Sequence, residues 1–301
     1  AGNLPATGSL SLVLGGLATE TSVRFDPALA GDRVLLDGHE EPETTGRVTA
    51  CLDLLRREAG ITAGAIVESR NDFPTGAGLA SSASGFAALV TAGAGALGLH
   101  LTSRRLAEIA RLGSGSAPRS LLGGVVLLTN RDATTVCEQI SAPADWPLEI
   151  VVAVTATGPK ATSSRVGMEL SERTSPYYDA WVQTHAGDLA AGLAAVRSRD
   201  FTALAEIAEH NCLKMHAVML TTRPALIYWT PATLACLHRI QALRRDGVPA
   251  FFTIDAGPQV KAVCLPGRAD EVAAELAAVP GVLRIMRSPL GEGARLRVDA
   301  D

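Results

Sequence analysis

The sequence lacks the features that mark secreted, metal-bound or membrane proteins. Its five cysteines are scattered along 301 residues, with no C-x-x-C pair and no histidine cluster: Cys51, Cys137, Cys212, Cys236 and Cys264. This pattern predicts buried free thiols in a reducing compartment rather than a disulfide framework or a structural zinc site. No apolar run reaches membrane-spanning length and no signal peptide is visible. We therefore expect a cytoplasmic protein.

Charged and aromatic residues are also scarce. Charged residues make up 19% of the chain and aromatic residues 4%, and the formal net charge is −4. Because nucleic acids and anionic membranes attract basic surfaces, we expect neither as a partner. Hydrophobic residues make up 47%, which is enough for a globular core in one large domain or two ordinary ones.

Small residues are abundant instead, above all in the segment 71–85, which reads NDFPTGAGLASSASG. A strand-like run at 65–69 precedes it and an alanine-rich helical run at 84–97 follows it. Glycine allows successive N–H groups to face one concavity, and a following helix adds its own N–H groups and the positive end of its dipole. The segment thus predicts a phosphate cradle, in which Ser81 and Ser82 offer hydroxyls to phosphate oxygens or to phosphate-bound magnesium. From the loop alone, a tightly packed helix entry is an equal alternative.

The loop differs from the two common phosphate loops, since no Lys-Ser or Lys-Thr follows it and its glycine spacing is not G-x-G-x-x-G. It resembles the GHMP kinase superfamily loop Pro-x-x-x-Gly-Leu-x-Ser-Ser, and its longer form resembles the diphosphomevalonate decarboxylase branch. The resemblance implies that ATP is held by Pro74, Gly76, Ala77, Gly78, Leu79, Ala80, Ser81 and Ser82, and that Ser82 also serves Mg²⁺.

A second glycine- and serine-rich loop, GSGSAPRS at 113–120, offers two hydroxyls and one fixed cation. Taken alone it is typical of a surface turn. It is similar to the substrate loop of the decarboxylase family, GSGSAxRSLxGG, and this similarity implies that Ser114, Ser116 and Arg119 hold an anionic substrate, with Arg119 beside the chemistry. In the same way, Ser164 and Arg165 match a Ser-Arg pair that faces substrate in bacterial members.

The third motif ends a β-rich run at 250–254 and places Asp255 before a Gly-Pro turn. An aspartate that only forms the turn is the plain alternative. The match to the family's Asp-Ala-Gly-Pro signature implies that Asp255 is the catalytic carboxylate. We assign His216 no chemistry, because no second histidine lies at ligand spacing.

The resemblance runs from Leu4 to at least Lys261 and implies the α+β, two-domain GHMP kinase fold. We expect an N-terminal domain at 1–147 with a left-handed crossover and the phosphate loop, and a ferredoxin-like C-terminal domain at 148–301 with Asp255. The boundary is a proline-rich link at 142–147. Family members carry a lysine and a Tyr-Trp-Gly run before the match to 3–5, and we expect that segment to precede Ala1. Thr7-Gly8 stand where the family usually has Asn-Ser.

Hydrophobic periodicity and capping residues predict the elements themselves. Strands are expected at 9–14, 19–25, 33–36, 65–69, 125–128, 148–154, 282–287 and 294–298. Helices are expected to start at Thr44 or Thr45, Ser84, Thr102, Ser175, Asp200, Thr230 and Asp270.

The implied reaction is ATP-dependent decarboxylation of mevalonate 5-diphosphate to isopentenyl diphosphate, with ADP, phosphate and CO₂ released, in a homodimer. Phosphorylation makes the tertiary hydroxyl a leaving group, and this step depends on positioning and charge neutralisation. Three alternatives remain open. They are a relative that decarboxylates or phosphorylates a mevalonate monophosphate, an ordinary GHMP small-molecule kinase, and a non-catalytic binding protein with the same fold.

Overall fold

A computed structural model describes residues 5–73, 81–131, 134–158 and 161–297. The strands within these residues are β1 (Ser9–Leu12), β2 (Thr19–Asp26), β3 (Arg33–Leu36), β4 (His39–Glu40), β5 (Gly64–Asn71), β6 (Val125–Arg131), β7 (Thr134–Ser141), β8 (Glu149–Val154), β9 (Ala250–Thr253), β10 (Val260–Cys264) and β11 (Arg284–Pro289). The helices are α1 (Pro42–Ala59), α2 (Ser81–Ala96), α3 (Ser103–Gly113), α4 (Ala117–Ser120), α5 (Ser164–Thr174), α6 (Tyr178–Ser198), α7 (Phe201–Leu220), α8 (Pro231–Arg245) and α9 (Ala269–Ala277).

The N-terminal half contains two sheets. One has the order β2-β5-β3-β4 and the other the order β1-β6-β7. In the first sheet β3 and β5 are parallel and are joined through α1, whereas β2 and β5 are antiparallel. Apolar residues of α1, α2 and α3 cover this sheet in one core, which includes Leu52, Val67 and Val90. The phosphate-loop segment thus lies between the end of β5 and the start of α2.

The C-terminal half is an antiparallel sheet of order β11-β8-β10-β9. Helices α5–α8 connect β8 to β9, and α9 connects β10 to β11, which is the βαββαβ order of a ferredoxin-like domain. Side chains of β8 alternate between two cores, with Val151 and Ala153 in one and Ile150 and Val152 in the other. This alternation shows that both faces of the sheet are buried.

After β11 the chain returns to the N-terminal half. The Gly291 N–H donates to the Val13 carbonyl at 2.8 Å, and the Gly124 N–H donates to the Gly291 carbonyl at 2.8 Å. A Cβ at Gly291 would lie 2.5 Å from the Cα of Gly15, so the crossing requires glycine. The two halves are therefore joined by backbone hydrogen bonds as well as by the link at 142–147.

The α+β fold class is confirmed, and most element starts agree with the sequence. Thr102, Asp200 and Thr230 each cap the predicted helix with the side chain. The division into domains at 147/148 falls in the link between β7 and β8 and stays a proposal. All five cysteines are free thiols, and four of them are buried.

Several details of the element predictions were wrong. Helix α1 begins at Pro42, because a proline in the first turn needs no N–H partner, and the hydroxyl of Thr45 bonds back to the Glu41 carbonyl inside the helix. Helix α2 begins at Ser81 and α6 at Tyr178, three residues from their predicted starts. Residues 294–297 form no strand, since Leu296 packs against Gly95 of α2 instead of pairing with a sheet.

Candidate active site

A cleft of about 1500 Å³ opens where β1, α2 and α4 meet the ends of β9 and β10. Its walls include Ser116 and Arg119 from the second loop, Asp255 from the Asp-Ala-Gly-Pro turn, and the first turns of α2. Residues from three separate sequence motifs therefore face one space. This convergence is what a substrate site between the two halves requires.

A chain of hydroxyls connects the start of α2 with the second loop. Ser82 Oγ lies 3.2 Å from Ser114 Oγ, which lies 3.1 Å from Ser116 Oγ. Ser114 is the C-cap of α3 and Ser116 the N-cap of α4, so the backbone holds both. The predicted nucleotide serine and the predicted substrate serines are thus neighbours. A phosphoryl group bound beside Ser82 would lie next to a substrate held by Ser114 and Ser116.

Arg119 is the cation of this wall. Its Nη1 donates to Ser9 Oγ on β1 at 2.7 Å, and this bond fixes the guanidinium across the joint between α4 and β1. Burial lowers the pKa of Arg119, and the charge of Asp255 opposes that effect. The group stays charged at neutral pH, because a guanidinium is too strong a base to lose its proton in a protein. Arg119 therefore supplies a fixed positive charge close to the carboxylate.

Asp255 lies two residues beyond the end of β9, with its side chain 65% exposed. The Gly257 N–H donates to the Asp255 carbonyl at 2.7 Å and closes the turn. Lys261 of β10 donates from Nζ to Asp255 Oδ2 at 2.8 Å, although its own side chain is only 9% exposed. Lys261 was not predicted from the sequence. A lone lysine in an otherwise apolar strand was the available signal.

Buried polar side chains form hydrogen bonds with the backbone of the turn that follows Asp255. The Pro258 carbonyl accepts hydrogen bonds from the hydroxyls of Thr155 and Thr233, each at 2.8 Å. Gln259 accepts from the Thr155 N–H and donates to the Ala156 carbonyl, both at 2.7 Å. Because Thr233 also completes the capping box of α8, the helix start and the turn share one network. These contacts fix the backbone that carries Asp255.

The other predicted site residues are less closely associated with the cleft. Residues 74–80, with Pro74, Gly76, Ala77, Gly78, Leu79 and Ala80, lie outside the described residues. Ser81 and Ser82 form the first turn of α2, as the cradle requires. Ser164 and Arg165 begin α5 but are not among the cleft-lining residues, and Arg165 Nε bonds to Glu169 Oε1 at 2.9 Å on the surface. Their role in substrate binding stays a proposal.

The side chains present suit a metal held by phosphate. No group of three or more His, Cys, Asp or Glu residues that could hold a metal ion occurs in the part of the chain that the structure describes. Mg²⁺ commonly keeps waters and binds one or two protein oxygens together with substrate phosphates, and the Ser82 hydroxyl fits that use.

His216 is buried, and desolvation lowers its pKa to about 4, so its imidazole is neutral at neutral pH. Among the described residues, no helix is long and apolar enough to cross a membrane.

The fold and cleft define an α+β protein of the GHMP kinase class. Residues 1–138 match the diphosphomevalonate decarboxylase-like N-terminal domain, and residues 150–284 match the mevalonate 5-diphosphate decarboxylase C-terminal domain. The diphosphomevalonate decarboxylase of Ganoderma lucidum is 35% identical over 284 residues, covering 85% of this chain and 70% of that protein. The chain belongs to the diphosphomevalonate decarboxylase family.

Two further comparisons extend this result. The phosphomevalonate decarboxylase of Haloferax volcanii is 33% identical over 262 residues, covering 85% of this chain and 79% of that protein. A solved structure described as MDDEF in complex with MVAPP, AMPPCP and magnesium superposes with a TM-score of 0.87 at 37% identity. The match covers 96% of this chain and 90% of that one. The similarity therefore extends over both halves and the cleft between them.

Proposed function

We propose that this protein is an ATP-dependent decarboxylase that converts mevalonate 5-diphosphate to isopentenyl diphosphate and releases ADP, phosphate and CO₂. The observation that carries the proposal is the convergence of Arg119 and Asp255 on one cleft, beside the helix start that bears Ser82. Family membership supplies the reaction, and the cleft supplies residues of the types that it needs.

ATP and Mg²⁺ are the proposed cofactors. The related complex with AMPPCP and magnesium supports them, since AMPPCP is a non-hydrolysable ATP analogue. The loop at 74–80 and the first turn of α2, with Ser81 and Ser82, would hold the phosphates through N–H groups and hydroxyls. The Ser82 hydroxyl would also contact the metal. ATP supplies the phosphoryl group that turns a tertiary hydroxyl into a leaving group.

The protein's own part in this chemistry is to bind and orient. Ser114, Ser116 and Arg119 would bind the substrate's anionic groups, and Arg119 can do so with two parallel N–H donors. Ser164 and Arg165 would bind the far phosphate. Asp255 would accept a hydrogen bond from the substrate hydroxyl and take its proton as the oxygen is phosphorylated. Its carboxylate is exposed to the cleft and therefore accessible to substrate.

A monophosphate substrate is the second candidate. The Haloferax volcanii relative is named a phosphomevalonate decarboxylase, and the chain is 33% identical to it. The residues that we assign to the carboxylate and hydroxyl end serve both substrates equally. The two candidates differ only in the phosphate that the Ser164 and Arg165 region would hold.

A homodimer in the cytoplasm is the proposed state. Leu213 and Leu220 lie seven residues apart on α7, on one helix face, and are 42% and 40% exposed. Ile227, which follows α7, is 69% exposed. Apolar side chains that are exposed in one chain are candidates for burial between two chains. Light scattering behind gel filtration should give twice the monomer mass, and a monomer at micromolar concentration would refute the dimer.

Product analysis tests the function. The purified protein is incubated with ATP, Mg²⁺ and either mevalonate 5-diphosphate or mevalonate 5-phosphate, and ADP, inorganic phosphate and CO₂ are measured separately. We expect the three products in equal amounts with the diphosphate. ADP without phosphate or CO₂ would identify a kinase instead, and preference for the monophosphate would favour the second candidate. The Asp255→Asn variant should lose about 10²–10⁴-fold in turnover. Unchanged turnover in that variant would reject the catalytic role of Asp255.

A further inference from the structure

Lys261 is a charged residue in an otherwise apolar, buried strand. The rest of β10 is Val260, Ala262, Val263 and Cys264, all buried. A buried ammonium loses its hydration, which is unfavourable unless an opposite charge and hydrogen bonds compensate it. Here the compensation is the Asp255 carboxylate, 2.8 Å from Nζ. The lysine therefore has an electrostatic role that an apolar residue at this position could not fill.

The backbone register fixes the pair. Lys261 lies opposite Thr253 on β9 and opposite Val152 on β8. Since Asp255 follows Thr253 by two residues, the hairpin brings the lysine beneath the carboxylate. The turn between the strands is itself held through the Pro258 carbonyl. The geometry of the ion pair thus follows from the sheet and its turn.

The side chains of Asp255 and Lys261 differ in how far they are exposed to the cleft. The Asp255 side chain is 65% exposed and the Lys261 side chain 9%. A substrate entering the cleft meets the carboxylate first, while the ammonium lies below it. One carboxylate oxygen is held by the lysine, which limits rotation of the group. In this arrangement Asp255 can contact a substrate, and Lys261 holds the Asp255 carboxylate in place.

We propose that Lys261 is a positioning residue for catalysis, which orients the Asp255 carboxylate and keeps it ionised while substrate binds. The proposal rests on the proposed function, because it assigns the lysine's effect to Asp255. It assigns Lys261 no direct contact with substrate.

Among the residues that the structure describes, the other groups around Asp255 have different roles. Arg119 contributes a positive charge from the opposite wall and bonds to Ser9. On α7, His216 is neutral above its pKa of about 4, and burial raises the pKa of the Cys212 thiol to about 12. Both are therefore uncharged between pH 5 and 8. Lys261 is the cation within hydrogen-bonding distance of the carboxylate in the described residues.

The first test is the pH dependence of turnover in Lys261→Met and Lys261→Arg. An opposite charge at this distance lowers a carboxyl pKa by about 1–3 units. Lys261→Met should therefore move the acid limb of kcat upward by about one pH unit or more and reduce kcat at neutral pH by about 10- to 100-fold. Lys261→Arg keeps the charge and should keep the acid limb. Nucleotide binding, measured by thermal shift with ATP, should be unchanged in both.

A control variant and a second substitution at Lys261 distinguish a change in the pKa of Asp255 from a general effect on folding. Lys214→Met removes a similar lysine, whose Nζ lies 2.6 Å from Asp188 Oδ2 between α6 and α7. This control should keep the wild-type acid limb. Lys261→Met should fold, because the carboxylate that it leaves behind is mostly hydrated. Lys261→Gln, which keeps polarity without charge, should show the same pH shift. An unmoved acid limb in both Met and Gln variants would overturn the proposal.

A double-mutant cycle separates positioning from direct substrate contact. If Lys261 acts through Asp255, adding Lys261→Met to Asp255→Asn should change the residual kcat by no more than about twofold. A further loss as large as in the wild-type background would overturn the proposal and indicate an independent contact. Asp255→Asn alone with wild-type turnover would instead reject the catalytic assignment itself. The two failures are therefore distinguishable.

Discussion

Arg119→Lys tests whether the shape of the cation matters as well as its charge. Nη1 of Arg119 is engaged with Ser9 Oγ at 2.7 Å, so the remaining guanidinium donors can face the cleft. A lysine ammonium is a point charge on a flexible stem. It cannot keep the Ser9 bond and also present two parallel donors to a carboxylate or phosphate. The substitution keeps the charge and removes the fork.

The size of the effect follows from the bond that is lost. A hydrogen bond between charged partners contributes about 1.5–3 kcal/mol, and each 1.4 kcal/mol is tenfold in binding. We therefore expect the apparent KM for the phosphorylated substrate to rise about 10- to 150-fold. The apparent KM for ATP should change little, because the cradle begins on α2. Steady-state kinetics with each substrate varied in turn measures both.

Two control variants isolate the cause. Ser9→Ala removes the hydroxyl that positions the guanidinium but leaves every donor of Arg119 in place, so the rise in KM should be clearly smaller than in Arg119→Lys. Arg105→Lys makes the same change in an arginine that pairs with Glu58 and Glu108 on the surface, and its kinetics should be those of the wild type. Wild-type substrate kinetics in Arg119→Lys would refute the role of the guanidinium.

Three further predictions concern the cradle and the cores. Ser81→Ala should weaken ATP use without lowering the melting temperature, and unchanged ATP kinetics would count against the cradle. The side chain of Asp32 is 2% exposed, and its carboxylate accepts hydrogen bonds from Arg56 and from the Ala65 N–H. Asp32→Ala should therefore lower the free energy of unfolding, measured by urea titration, by about 3–5 kcal/mol. The control Glu40→Gln removes one partner of an exposed ion pair and should change it by close to zero. Burial lowers the pKa of His216 from 6.5 to about 4, so the unfolded chain binds the proton more tightly. Stability should be full above pH 6.5 and fall by up to about 3 kcal/mol towards pH 4, and a His216 variant that melts with the same pH dependence would refute this.

The sequence predicted those parts of the site that local motifs encode. The phosphate loop, the second loop and the Asp255 turn are each short segments, and their residue types point to their chemistry. The capping threonines and Asp200 were predictable for the same reason, since a cap acts within three residues of itself. The strand expected at 294–298 was wrong because alternating residues form a strand only where a sheet edge accepts it.

Contacts between distant segments were not predictable from the motifs. The network below the turn joins Thr155, Thr233 and Pro258, which are separated by up to 103 positions. The Lys261–Asp255 pair is closer in sequence, and it would have followed from a hairpin prediction across 253–261. When the strand register is not known, a lysine in an apolar strand is most simply interpreted as a residue of an edge strand, or as one whose long side chain carries its charge to solvent. The ion pair depends on the pairing of β9 with β10, which the motifs do not encode.

The charges in the cleft explain how an acidic protein can bind a highly anionic pair of substrates. The chain carries a formal net charge of −4, which by itself would repel phosphates. Immediately around Asp255 the sign is reversed, because two cations, Arg119 and Lys261, act on that one carboxylate. The N–H groups at the start of α2 add further positive potential beside Ser82. Since charges in a partly buried cleft are screened less than charges at the surface, these two cations act on an anion bound beside Asp255 more strongly than the net charge of the chain does. The same two cations act on the carboxylate of Asp255, so one arrangement serves both anion binding and the proton transfer proposed for that residue.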